Sequence, residues 1–91
     1  MARLALTEVL DLNAATPLKA AILDLRGSAL EIDACAVRRL GGLCLQVLLA
    51  AKAAWSADGH SFSITNASES FLEALRLFGA QTALQPAAQG A

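Results

Sequence analysis

Apolar and polar residues alternate loosely over residues 2–9, and this pattern predicts a first β-strand. Apolar residues then recur at helical spacing up to about Arg26, in a helix that begins at Asn13 or Thr16, either of which can cap its N-terminus. Gly27 follows at the position where a helix commonly ends. The first third of the chain therefore predicts a strand followed by a helix.

Residues 29–37 predict a second strand with one apolar and one polar face, because side chains alternate along a strand. The apolar face contains Leu30, Ile32, Ala34 and Ala36, and the polar face contains Glu31, Asp33 and Cys35. Residues 43–55 contain no Gly or Pro and are rich in Leu and Ala, which favours a long helix. Residues 60–66 alternate clearly and predict a third strand.

The last helix is expected to begin after Asn66 or Ser68 and to end at Gly79. With Asn66 as the cap, Glu69 would complete a capping box. The predicted core positions of this helix are Phe71, Leu72, Leu75 and Phe78. A short strand over residues 81–84 is expected to follow.

Gly41 and Gly42 lie between the second strand and the long helix, where a glycine pair allows positive φ and leaves the first helical N–H groups uncovered. The predicted core face of the helix contains Cys44, Val47, Leu48, Ala51, Ala54 and Trp55. The opposite face is small and nearly uncharged, with Gly42, Gln46, Ala50, Ala53 and Ala57 flanked by Leu49. Exposed helix faces usually carry Glu, Lys and Arg, so this face is a candidate protein contact surface.

A chain of 91 residues is long enough for one domain with a modest core. Its 56% hydrophobic content consists mostly of Ala and Leu, which favours helices packed on a small sheet. We therefore predict an α/β fold: a small mixed β-sheet of about four strands with helices packed mainly on one face. The predicted domain spans residues 1–84, and residues 85–91 are expected to form a flexible tail.

The net charge of −1 gives no basic surface for nucleic acid or anionic membrane, so both are excluded as partners. The first residues lack the unbroken apolar core of a signal peptide. The longest apolar run, residues 43–51, is too short to span a membrane. We expect a cytoplasmic protein with no membrane insertion.

Cysteine and histidine, which often act as catalytic residues or metal ligands, are few in this chain, and their spacing matches no known site. Cys35 and Cys44 do not match a zinc pattern, and the one histidine, His60, offers no second imidazole ligand. No metal, cofactor or catalytic group is predicted, although a small thiol enzyme or ligand carrier remains an alternative function. Arg38 and Arg39 precede the glycine pair, where they either bind a phosphate or a partner carboxylate or are simply solvated.

The succession of strand, tight turn, long helix, strand and capped helix resembles a STAS domain from about Leu4 to Leu84. Three segments carry the resemblance: the LQVLLAA run, the Asp58–Gly59 turn, and the NASESFLEALRLFG segment that ends at Gly79. The family includes bacterial anti-sigma factor antagonists, stand-alone STAS proteins encoded beside chemotaxis genes, and the STAS subunit of a lipid-transport ABC complex. This sequence is most similar to the chemotaxis variants.

STAS domains carry an Asp-Ser or Asp-Thr pair at the start of the central helix, where a kinase phosphorylates the hydroxyl and so releases a partner. In this chain the resemblance places that pair on Gly41 and Gly42, neither of which can be phosphorylated. It therefore implies a non-catalytic interaction module without this phosphorylation switch, whose docking surface is permanently available.

The predicted partner-binding residues follow from this resemblance and from the small helix face. They are Arg38, Arg39, Gly41, Gly42, Gln46, Leu49, Ala50 and Ala53. The expected partner is a protein of a chemotaxis-type assembly, such as a histidine kinase, receptor or response regulator, and a homodimer is a further possibility. The alternative setting is that of an accessory STAS subunit in a lipid-transport ABC complex.

Overall fold

Five strands and four α-helices lie within residues 2–84, which are the residues that the computed structural model describes. They are β1 (Ala2–Ala5), β2 (Val9–Leu10), α1 (Ala15–Leu23), β3 (Leu30–Asp33), β4 (Arg39–Leu40), α2 (Gly42–Ala57), β5 (Phe62–Thr65), α3 (Glu69–Leu77) and α4 (Gln81–Leu84). A 3-10 turn, Leu12–Ala14, precedes α1. The predicted C-terminal tail, residues 85–91, lies outside the described residues.

The main sheet has the strand order β1-β3-β5, and both pairings are parallel. Leu4, Ile32 and Ile64 are aligned across its three strands. On this side of the sheet Leu30, Ile32 and Ile64 are fully buried, and they form the centre of the core beneath the helices.

The opposite side of the sheet is polar, and no helix among residues 2–84 covers it. Arg3 donates to Asp33 at 2.7 Å and lies 3.6 Å from Glu31, whose carboxylate accepts a hydrogen bond from Thr65 at 3.2 Å. Parallel sheets are usually covered on both faces, so this open side is an uncommon feature. The predicted α/β fold with helices mainly on one face is confirmed.

A second, two-stranded sheet was not predicted. It pairs Val9 with Arg39 and Leu10 with Leu40, again in parallel, so Arg39 lies in a strand. The strands are thus divided between two small sheets in which every described pair is parallel, whereas the sequence predicted one mixed sheet of about four strands.

The predicted start of the first helix was wrong in detail. Asp11, and neither Asn13 nor Thr16, provides the cap, because its carboxylate accepts hydrogen bonds from the N–H groups of Asn13 at 3.1 Å and Ala14 at 3.2 Å. These bonds begin the 3-10 turn, and α1 continues from it. At the other end, α1 stops at Leu23, before the predicted end near Arg26, so Gly27, with φ of +109°, lies in the turn that follows and not directly after the helix.

Helix α2 runs parallel to α1 over the core. Their starts are joined by the Cys44 thiol, which donates to the Asp11 carbonyl at 3.3 Å, and their ends by the Arg26–Asp58 ion pair at 2.8 Å. Cys44, Leu48, Ala51 and Trp55 are buried as predicted, Val47 and Ala54 are half-buried, and Leu45 is buried without having been predicted. The central helix is therefore packed along most of its length.

The start of α3 is one of the two that the sequence predicted, and its end near Gly79 is as predicted. Ser68 caps α3 by accepting from the Phe71 N–H at 3.1 Å, so the capping box from Asn66 does not form. Phe71 and Leu75 are buried as predicted, but Leu72 and Phe78 are exposed.

Residues 81–84 form the short helix α4 and not a strand. Ala80 and Leu84 are one helical turn apart and both are buried, which explains the helical conformation. Lys52 of α2 donates to the Ala83 carbonyl at 2.8 Å, so α4 covers one flank of α2.

Candidate protein-docking surface

The glycine pair at the start of α2 has ordinary backbone angles. Gly41 has φ of −86° and ψ of 164°, and neither Gly41 nor Gly42 has positive φ, so the prediction of positive φ at this turn was wrong. Gly41 is needed for close approach instead, whereas Gly42 has room for a small side chain. A Cβ atom on Gly41 would lie 3.2 Å from the Leu10 carbonyl oxygen, and one on Gly42 would lie 3.6 Å from the Phe78 ring.

The N-terminus of α2 has no side-chain cap. Gly41 is the N-cap residue, and its carbonyl accepts the first helical hydrogen bond from Leu45 at 3.0 Å, but it has no side chain that can accept from the N–H groups of the first turn. These N–H groups and the helix dipole favour an acceptor or a negative charge at this position.

Three exposed apolar side chains surround this turn. Leu43 is the second residue of α2 and is 45% exposed. The Phe78 ring, 51% exposed, lies over Gly42, and Leu12, 73% exposed, follows the Asp11 carbonyl that contacts Cys44. We define Leu12, Gly41, Gly42, Leu43 and Phe78 as the turn surface. Exposed apolar side chains gathered around uncovered backbone are typical of a protein contact site.

The predicted small face of α2 continues from the turn surface. Gln46, Ala50 and Ala53 are exposed as expected, whereas Leu49 is half-buried and packs against the core. Gln46 and Ala50 line a groove of about 350 Å³ between α1 and α2, which extends from Leu43 at one end to Leu23 at the other. The groove is mainly apolar, with Lys19 as its one charged lining residue.

The two predicted rim arginines are both exposed, but their surroundings differ. Arg38 lies 3.5 Å from Glu8 in a solvent-exposed ion pair, which contributes little to stability. Within residues 2–84 no carboxylate lies within ion-pair distance of Arg39. Arg39 therefore remains available to an acidic group on a partner.

The two thiols lie in environments that suppress reactivity. The pKa of the Cys35 thiol is raised, chiefly by its hydrogen bond with the Asp33 carboxylate. Burial raises the pKa of the Cys44 thiol, and the negative charge of Asp11 adds to this effect. Because the thiolate is the nucleophile, both environments disfavour the thiol-enzyme alternative.

We expect Cys44 to resist alkylation until the domain unfolds, and Cys35 to react more slowly at neutral pH than the thiol of an unfolded chain. The rate for Cys35 should rise at alkaline pH, since its thiolate forms only above the raised pKa. Iodoacetamide labelling of a Cys35→Ser and a Cys44→Ser variant, with and without urea, separates the two sites. Labelling of either folded variant faster than its urea-unfolded form would restore the thiol-enzyme alternative.

No group of three or more His, Cys, Asp and Glu side chains in the described part of the chain is arranged to hold a metal ion. Among the helices described, none combines the length and apolar character needed to cross a membrane.

The structure adds residues that sequence analysis missed at the predicted site. Leu12 and Leu43 were not selected, because a single exposed leucine beside a turn has no distinctive spacing. Phe78 was assigned to the core on its helical periodicity, but α3 ends at Leu77 and the ring turns toward Gly42. The one sequence signal for the exposed position of Phe78 was that this large aromatic residue directly precedes a helix-ending glycine, Gly79.

Comparison with protein families matches residues 1–86 to a family model described as "Mlab, STAS domain". Comparison with curated proteins and with solved structures gives no match.

Proposed function

Because the chain belongs to the STAS domain family, we propose that it is a non-catalytic protein-docking module whose partner binds at the turn surface. The observation that carries the proposal is the exposure of Leu12, Leu43 and Phe78 around a helix N-terminus without a side-chain cap. Interfaces are commonly built from such apolar anchors with a polar rim.

The two glycines at the turn favour a docking surface whose partner binding is not controlled by phosphorylation at this position. Neither Gly41 nor Gly42 has a hydroxyl group, so no phosphate can be added at the position where STAS domains are switched. The Gly42 position has space for a small side chain, because the nearest atom to a Cβ there would be a Phe78 ring carbon at 3.6 Å. The absence of a hydroxyl is therefore not imposed by crowding.

The charges around the turn indicate the chemistry of the contact. Uncovered N–H groups of α2 and the exposed Arg39 guanidinium both favour an acidic group on the partner. We infer that the partner presents an apolar side chain to the turn surface and a carboxylate to this rim. Association should therefore weaken as salt concentration increases.

We propose a cytoplasmic setting in bacterial signalling, of the chemotaxis type, with a histidine kinase, receptor or response regulator as partner. A second candidate is a permanent subunit of a lipid-transport ABC complex, which the lack of a hydroxyl at Gly42 fits equally well. Affinity capture from the native bacterium separates the two candidates. Recovery of a signalling protein supports the first, recovery of an ATP-binding cassette subunit supports the second, and recovery of neither would contradict both.

Gly42→Asp is expected to leave the domain folded and to weaken partner binding by roughly tenfold or more. An Asp in the first turn of α2 interacts favourably with the helix dipole, while its charge repels the carboxylate that we expect on the partner. The affinity of the captured partner, measured by titration calorimetry, tests this expectation. Gly42→Asn is the control of equal size without charge, and equal weakening by both variants would contradict the charge argument.

A further inference from the structure

Strand β1 lies at an edge of the main sheet, and its outer side has no neighbouring strand within the described residues. The N–H group of Ala2 donates to the Ala29 carbonyl, just before β3, at 2.8 Å, and that of Leu6 donates to the Asp33 carbonyl of β3 at 2.9 Å. Because inward and outward groups alternate along a parallel pair, the N–H and C=O groups of Arg3 and Ala5 point away from β3. This edge is a site for an additional strand.

An apolar groove runs beside this edge. It has a volume of about 390 Å³ and lies between β1, with the loop after it, and α1. Leu4, Leu6, Pro17 and Leu18 are among its lining residues, and Thr7 is the one polar residue that lines it. Exposed Ala5 and Pro17 show that the groove reaches the surface. An added strand would therefore need apolar side chains on its helix-facing side.

The opposite side of the added strand would lie beside Arg3, on the open polar face of the sheet. Arg3 already pairs with Asp33 and lies close to Glu31, so this position has no unmatched positive charge to offer an acidic strand. A suitable strand is apolar on one side and uncharged opposite Arg3. β1 itself has this pattern, with Leu4 on the helix side and Ala5 on the open side.

We propose that β1 pairs antiparallel with β1 of a second copy of the chain, joining the two main sheets across a two-fold axis at Leu4. In this register Arg3 faces Ala5 of the second copy, which avoids the repulsion of two facing arginines. The pairing uses only residues within β1, and the two Leu4 side chains meet at the mouths of the two grooves. With about four new hydrogen bonds the dimer is weak and depends on concentration.

Sedimentation velocity of the wild-type chain and of Ala5→Pro tests the pairing. Proline removes an outward N–H that the fold does not use, so the inner hydrogen bonds to β3 are kept. The wild type is expected to dimerise as its concentration rises, and Ala5→Pro is expected to stay monomeric, with Ala5→Val as a control that retains the N–H. A wild type that is monomeric at every concentration overturns the proposal, and a different protein would then be the candidate partner for this edge. An Ala5→Pro dimer also overturns it.

Cross-linking tests the register and does not depend on the proline variant. Facing residues in a non-hydrogen-bonded antiparallel pair have Cα atoms about 4.5 Å apart, which a disulfide can bridge. In a Cys35→Ser background, Leu4→Cys is expected to form a disulfide-linked dimer on mild oxidation. Ala5→Cys, offset by two positions from its copy, should link far more slowly. Equal or faster linking by Ala5→Cys overturns the proposed register.

Discussion

Leu43→Asp is expected to remove partner binding while the domain remains folded. Leu43 is 45% exposed at the second position of α2, next to Gly42, over which the Phe78 ring lies, so it is available as an apolar anchor. Replacing an anchor at the centre of an interface commonly costs about 2 kcal/mol or more, which corresponds to roughly a 30-fold loss of affinity. Titration calorimetry with the captured partner measures the loss.

The matched control for this variant is Leu23→Asp. Leu23 is 50% exposed and lies at the end of α1, where the Arg26–Asp58 ion pair joins the C-terminal ends of the two parallel helices. It shares residue type, exposure and added charge with the test position but lies far from the turn surface. Thermal melting confirms that both variants are folded. If Leu23→Asp weakened binding to the same degree, the partner would cover the whole groove and not the turn surface alone.

Trp55→Ala is expected to cause a large loss of stability, because Trp55 is the largest of the fully buried side chains. It is 1% exposed, its ring lies edge-on to Phe62 at 6.1 Å, and its indole N–H donates to the Ser28 carbonyl at 2.8 Å. One side chain thus joins α2, β5 and the loop after α1. Removing a buried Trp typically costs about 3–5 kcal/mol, a large part of the roughly 5–15 kcal/mol that stabilises a domain.

Urea unfolding measured by circular dichroism tests this expectation. Trp55→Phe serves as the control, because it keeps most of the packing against Phe62 and loses the hydrogen bond to Ser28. Trp55→Phe should therefore lose only about 1–2 kcal/mol of unfolding free energy. A loss below about 1 kcal/mol for Trp55→Ala would contradict the central place of this side chain in the core.

The order of the main helices and strands could be predicted from the sequence, because the patterns that mark each of them are local. The uninterrupted Leu- and Ala-rich run of α2 and the alternation of β5 both mark real elements. Gly79, which was predicted to end the last helix, directly follows its C-cap residue and has positive φ. Each of these signals depends on the conformational preferences of a few adjacent residues.

The details that were missed depend on contacts between distant segments. The β2–β4 pairing involves two residues on each strand, which is too short for any alternation to be visible. Gly41 and Gly42 were interpreted through backbone angle, but Gly41 is required by the approach of the Leu10 carbonyl from elsewhere in the chain. Such constraints appear only when the elements are packed together.

The candidate site was predicted in part for the same reason. The small face of α2 follows from helical periodicity, and Gln46, Ala50 and Ala53 are exposed as expected. The apolar residues around the turn come from three separate segments, so their proximity does not follow from their spacing in the sequence. Whether these residues bind a partner is the prediction that remains for experiment.

Photo-crosslinking in the native bacterium tests most directly whether the partner docks at the turn surface. A photoreactive amino acid such as benzoylphenylalanine is placed at Leu43 in one strain and at Leu23 in another, and adducts are identified after irradiation. Docking at the turn surface predicts a covalent adduct with a partner protein from Leu43 and little or none from Leu23. An adduct from Leu23 alone, or from neither position, would contradict docking at the turn surface.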